Sequence, residues 1–161
     1  MTDNPRKAGS GERVRTYLEA HGLAGGLVEF EQSTKTAQMA ADAMGCDLGQ
    51  IVKSLVFVVG DRPVLALVPG DRRGDSEAIA ELMGGETARF ADAATVRSVT
   101  GFAIGGVSPF DLPSELPVLF DESLERFEIV YPAGGTPSAI VRMSRRDLAE
   151  LTRARVARIS H

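Results

Sequence analysis

A chain of 161 residues suits one domain, and at that size about 70% of the surface of the unfolded chain is buried on folding. With 43% hydrophobic and 25% charged residues the composition is globular, and a single cysteine, Cys46, rules out an intrachain disulfide. Two histidines, His21 and His161, leave too few ligands for the usual Cys/His zinc sites. No run approaches the roughly 18 apolar residues of a membrane helix, and the polar start MTDNPRKAGSGER lacks the apolar stretch of a secretory signal. A cytoplasmic protein is the expectation. The net charge of −4 argues against a broad grip on nucleic acid. Residues 142–161 nevertheless hold six arginines against Asp147 and Glu150, a balance of +4 that leaves −8 for the rest. That basic stretch suits a local phosphate contact; for any one arginine a solvated helix face suits as well.

In chain order, residues 1–9 read as a loose leader and 10–161 as a single domain. Ser10 is placed to cap a helix running to His21, with Val14, Tyr17, Leu18 and His21 on one stripe and Gly22 as its stop. Leu27–Glu31 alternates as a short strand does. Thr34 or Thr36 caps a second helix bearing Met39, Ala40, Ala43 and Met44 and ending at Gly45. SLVFVV (54–59) and VLALV (64–68), separated by Gly60-Asp61-Arg62-Pro63, form a β-hairpin whose continuous apolar runs predict cover on both faces. Asp75–Met83 and Asp92–Val99 read as helices, the second capped by Asp92. Thr100–Pro113 is loop around Phe102–Ile104. Val118–Phe120, Glu128–Tyr131 and Ala139–Met143 read as strands, Ser144 caps a last helix to Leu151, and Val156–Ile159 adds a final strand. The order lacks a βαβ rhythm. It predicts an α/β domain of the α+β type, with a mixed, largely antiparallel central sheet surrounded by helices.

The familiar catalytic motifs are missing: no GxxxxGK[ST], no GxGxxG opening a helix, no GxSxG elbow. His21 sits on a helix stripe and His161 at the chain end, so neither suits a triad, and Cys46 alone reads as a small packing residue. Three features stand out. Lys53, one of three lysines beside fifteen arginines, begins an apolar strand in IVKSLVF, where an ammonium either snorkels or serves a phosphate or carboxylate. The loop TGFAIGGVSPF carries Gly105 and Gly106, whose N–H groups suit an oxyanion, although a glycine pair alone also suits a plain turn. YPAGGTPSA (131–139) holds a second pair, Gly134 and Gly135, in what would otherwise be a hairpin loop.

In that order, TKTAQMAADAMGCDLGQIVKSLVFVV, TGFAIGGVSPF and AGGTPSA resemble the YbaK/EbsC family over roughly residues 15–158. These are free-standing aminoacyl-tRNA deacylases related to the editing domain of bacterial prolyl-tRNA synthetase. The resemblance implies a mixed, partly closed central sheet ringed by helices, and hydrolysis of the ester joining a wrong amino acid to a tRNA 3′ end, with no metal or cofactor. Water attacks, helped by the ribose hydroxyl of the substrate and by main-chain groups. It gives Lys53 the family's functional lysine and matches the GxxxP loop to Gly105–Pro109, with Gly105 serving the substrate carbonyl or ribose. Thr36, Ser54, Gly106, Ser108, Pro109, Ala133, Gly134 and Gly135 follow as substrate-binding candidates, and Arg142, Arg145 and Arg146 as candidates for acceptor-stem phosphates. The partner implied is an aminoacylated tRNA 3′ end, brought by a synthetase or an elongation factor.

The chain departs from the family at three points. Cysteine-removing members have a serine where this chain has Ala133 and an aspartate at about Ile140, so the amino-acid pocket is expected to be more apolar. Many members have glycine after SPF, where this chain has Asp111. The departures keep a second reading open, a non-catalytic module for a tRNA end or an aminoacyl-adenosine-like ligand. A third keeps the fold and changes the substrate to a small ester or amide.

Overall fold

The computed structural model describes residues 9–113 and 115–161; the proposed leader lies outside them except for Gly9. Five helices, α1 (Ser10–Ala20), α2 (Ala37–Met44), α3 (Ser76–Leu82), α4 (Ala93–Thr100) and α5 (Arg145–Thr152), accompany nine strands. The strands are β1 (Leu27–Glu29), β2 (Ile51–Val59), β3 (Arg62–Pro69), β4 (Ala88–Phe90), β5 (Val118–Asp121), β6 (Ile129–Pro132), β7 (Ala139–Val141), β8 (Met143–Ser144) and β9 (Arg155–Ala157). Side chains close the N-termini of four helices: at Asp92, Ser144 and the second of the two candidate threonines as the sequence suggests, and at Asp75 in addition. Thr36, Asp75, Asp92 and Ser144 accept from the third residue on, at Met39, Ala78, Thr95 and Asp147. The first helix differs: Gly9 is its N-cap, and the Ser10 hydroxyl instead donates to the Gly135 carbonyl at 2.5 Å.

The larger sheet runs β8-β6-β2-β3-β5-β9 with β4 added beside β2, and β1 pairs β7 in a second, two-stranded sheet. The sheet is mixed and curls into a half-barrel. Parallel pairs are β2–β6, β3–β5 and β5–β9; β2–β3, β2–β4, β6–β8 and β1–β7 are antiparallel. The β2–β3 hairpin is tighter than expected. Val59 pairs Arg62, so Gly60 and Asp61 alone make the turn, and Gly60 at φ 66° supplies the positive first position of a II′ turn. The single strand expected over 139–143 breaks at Arg142, whose N–H donates to the Gly26 carbonyl, and each half pairs a different neighbour.

The central hairpin is apolar throughout because both faces are covered. Val56, Val58, Leu65 and Leu67 join the main core with Val14, Leu18, Phe102, Phe110 and Leu148. Phe57, Val59, Val64, Ala66 and Val68 pack on the other side with Ile79 and Ile159. Burying each such side chain is worth about 1.5–3 kcal/mol. No helix among the described residues is long and apolar enough to cross a membrane.

Candidate active site

The site begins with a gap in the sheet. On its outer edge β2 is paired by β6 at Ile51 and Val52, and by β4 at Phe57, Val58 and Val59. Ala91 N–H donates to the Val56 carbonyl, which extends the second contact by one bond. Between these neighbours, Lys53, Ser54 and Leu55 have β3 on one side and, among the described residues, no strand on the other. Main-chain groups alternate along an antiparallel strand. Gly70 N–H reaches the Ile51 carbonyl on the β3 side, so the N–H and C=O of Ser54 face the opening. The Ser54 hydroxyl is buried and has no hydrogen-bond partner among the described residues.

A cavity of about 650 Å³ wraps this open edge. It takes Val52, Ser54 and Val56 from one face of β2, and Lys53 and Leu55 from the other. Of the sequence candidates, Lys53, Thr36, Ser54, Gly105 and Ala133 line it together. Its other polar side chains are Thr34, Lys35, Tyr131 and Thr136, and among the described residues no carboxylate or imidazole lines it.

Lys53 leans toward the loop after β3, donating from Nζ to the Arg72 carbonyl at 2.5 Å. Burial draws its pKa below the ordinary lysine value, the nearby Arg73 charge adds to the effect, and Asp71 opposes it. The loop is anchored by a two-pronged ion pair, Arg126 to Asp71 at 2.9 and 3.0 Å. Hydrogen bonding to Arg126 holds the Asp71 carboxyl below the usual carboxylate range. Arg72 and Arg73 are exposed beside Lys53, a cationic neighbourhood that the sequence reading did not single out. Its signal was the doublet in GDRRGD.

The glycine loops divide in role. Gly105, at φ 98°, lines the cavity, and its N–H is unpaired among the described residues. Gly106 does not line it: its N–H donates to the Ala103 carbonyl, and a Cβ there would press on the Thr136 main chain at 2.9 Å. Ser108 is fully buried and accepts from Phe110 N–H, while Pro109 borders a separate hollow with Tyr17 and Asp111. Gly134 N–H donates to the Ala139 carbonyl, and Gly135, at φ 97°, receives Ser10. These two shape the loop and stand outside the cavity wall. Ala133 and Ile140, the two departures, are bridged to each other across the strands and both line the cavity, so one apolar patch replaces two polar groups that would be neighbours. Asp111 stands at φ 58°, in the region that favours glycine. Arg13 compensates, donating to its carboxylate at 2.7 Å and to its carbonyl while lying over the Phe102 ring.

Arg142, Arg145 and Arg146 do not line the cavity. Arg145 donates to the Phe127 carbonyl and Arg146 pairs with Glu150. His21 bonds the Tyr17 carbonyl and stacks on its ring. Burial raises the Cys46 thiol pKa, which quiets it as a nucleophile.

The cavity thus joins a cation, unpaired main-chain groups and an apolar wall around a sheet opening, and the chain belongs to the aminoacyl-tRNA editing domain family, whose model matches residues 31–151. Among individual relatives, the multifunctional Ser/Thr-tRNA deacylase ProXp-y of Escherichia coli is 29% identical over 147 residues, covering 88% of this chain and 87% of its own. The protein YwhH of Bacillus subtilis is 34% identical over 144 residues, 89% of this chain and 91% of its own. A crystal structure of a candidate trans-editing enzyme for prolyl-tRNA synthetase superposes with a TM-score of 0.87 at 42% identity, covering 99% of both chains.

Proposed function

We propose that the open edge of β2 receives the aminoacyl ester of a mischarged tRNA and that water cleaves it there. The protein is a deacylase acting in trans, as a chain separate from the synthetase. The observation that carries this reading is the pairing of an unsatisfied strand edge at Ser54 with Lys53 and Gly105 in one cavity. Lys53 holds the phosphate of the terminal nucleotide, and Gly105 N–H and Ser54 N–H stabilise the carbonyl oxygen as it becomes negative. The water oxygen bonds the carbonyl carbon, the ester C–O bond breaks, and the ribose oxygen leaves with a proton. Free amino acid and uncharged tRNA result. Among the described residues no carboxylate or imidazole lines the cavity, so the vicinal ribose hydroxyl of the substrate relays the proton.

The apolar Ala133–Ile140 patch beside the hydroxyls of Thr34, Thr36 and Ser54 suits a small amino acid. Arg72 and Arg73 are better placed than the C-terminal arginines to meet phosphates next to Lys53. Delivery by a synthetase or an elongation factor, and a cytoplasmic location, go with this reading. The test is deacylation of tRNAs charged with alanine, serine, threonine or cysteine. Hydrolysis of at least one, lost in Lys53→Ala, is expected. Binding of tRNA ends without turnover of any would favour the non-catalytic module, for which the Ala133–Ile140 patch is the specific argument.

A further inference from the structure

Four large hydrophobic side chains are exposed among the described residues, and the two most exposed, Phe90 at 63% and Ile104 at 61%, both line the mouth of the cavity. They come from separate elements, Phe90 from the end of β4 and Ile104 from the loop after α4. Single exposed hydrophobic residues are ordinary, but two that line the same cavity mark an interaction site. Phe90 is held by the register: it is the cross-strand partner of the fully buried Phe57, and the rings stack at 4.5 Å between centroids and 30°. One ring face is thus fixed against the core while the residue stays largely open to solvent. Lys53 and Phe57 lie four residues apart on the same face of β2, about 13 Å along the strand. The cation and the stacked ring therefore flank one stretch of the cavity rim, with the phosphate end at Lys53.

We propose that Phe90, backed by Phe57 and faced by Ile104, is the stacking platform for the base of the substrate's terminal nucleotide. The inference rests on the reading that the cavity takes an aminoacyl ester, because the nucleoside attached to that ester must then lie at the mouth. The occupant is a nucleobase: its flat, weakly hydrated face matches an exposed ring, and unpaired RNA ends are bound by stacking on aromatic side chains. Lys53 and Phe90 would grip the two ends of one nucleotide, which sets the ester into the opening at Ser54.

The chain has no tryptophan, so Phe90→Trp gives a single fluorescent reporter at the platform. Adenosine 5′-monophosphate is expected to quench it saturably, and ribose 5-phosphate, which lacks the base, is expected not to. In deacylation assays Phe90→Ala is expected to lower kcat/KM by about ten- to a hundredfold, chiefly through KM. Phe90→Trp should retain activity, and Phe90→Leu should behave like the alanine variant. Equal quenching by both phosphates, full activity of Phe90→Ala, or rescue by leucine would each overturn the platform; rescue by leucine would mean that the residue is only apolar cover. The exposure of Phe90 makes a folding defect unexpected, and an unchanged thermal melt of each variant completes the kinetic test. Base-dependent quenching by adenosine 5′-monophosphate in a protein that hydrolyses no tested tRNA would uphold the platform and overturn the hydrolytic reading, so the two fail separately.

Discussion

Asp121 and Ser54 are both polar groups sunk in an apolar interior, and the fold treats them in opposite ways. Asp121, 1% exposed at the end of β5, accepts hydrogen bonds from Ile159 N–H, the Ser160 hydroxyl, Ser123 N–H and the Ser123 hydroxyl. It thereby ties the last residues of the chain to the central sheet. Ser54, in the middle of the longest strand, has a buried hydroxyl with no partner and main-chain groups facing an opening. A buried carboxylate is tolerated only when its acceptors are filled, and Asp121 meets that condition. An unfilled hydroxyl is a cost the folded chain carries, and at a cavity wall it marks where a ligand's donors and acceptors belong. The saturated site maintains the structure; the unsaturated one is available to substrate.

The largest way to break that contrast is Asp121→Ala. It strands the Ile159 N–H and the Ser160 hydroxyl in the interior and is expected to cost about 3 kcal/mol, read as the shift of a urea midpoint. Specific activity of the remaining folded protein should be unchanged. Lys53→Ala should do the reverse, lowering kcat/KM by about 100-fold with no loss of thermal stability, because a half-buried cation beside Arg73 does not favour the fold. The same residue sets a pH limit. Its ammonium is required, and its pKa lies below that of an ordinary lysine, so activity should fall on the alkaline side earlier than an exposed lysine would dictate.

Ser54→Ala sharpens the contrast at smaller scale. Activity should fall about fivefold while the melting temperature holds or rises, since an unsatisfied hydroxyl is removed. Equal losses of stability and activity would make Ser54 a structural residue like Asp121. The smallest effect is expected from Asp71→Asn, about 0.5–1 kcal/mol for an ion pair that is partly exposed at both ends. Arg126 depresses the Asp71 pKa, so its contribution is present above the ordinary carboxylate range and is lost as pH falls through the depressed value. Melting curves of wild type and variant should converge as the pH is lowered below the ordinary carboxylate range.

Much of this was legible in the residues. The central hairpin announced itself by two continuous apolar runs, and three helix caps, Asp92, Ser144 and one of the pair Thr34 and Thr36, were readable because capping is a local interaction. The site was legible only in part. Lys53 stood out as an ammonium in an apolar strand, and Gly105 as half of a glycine pair, but nothing local separates Gly105 from Gly106, whose N–H turns back to Ala103. β4 was not foreseen: three residues, Ala-Arg-Phe, are too few to show a period, and what makes them a strand is the edge of β2 opposite. With it went Phe90, and the opening between β4 and β6 that exposes Ser54. The bridge between Ala133 and Ile140 is likewise a property of the register.

The amino-terminal helix carries a further consequence, for where the protein can be cut. The family match starts at residue 31 and stops at 151, yet α1 lies before it and Ile159 after it. Val14 and Leu18 are wholly buried in the main core, Ser10 tethers Gly135, and Arg13 braces Asp111. A fragment trimmed to 31–151 would open the core at one end, loosen both glycine loops, and leave Asp121 without Ile159 and Ser160. A piece transplanted as a working editing module therefore needs α1 and Ile159–Ser160 as well as the matched span, and fusions to other proteins should join it outside those elements.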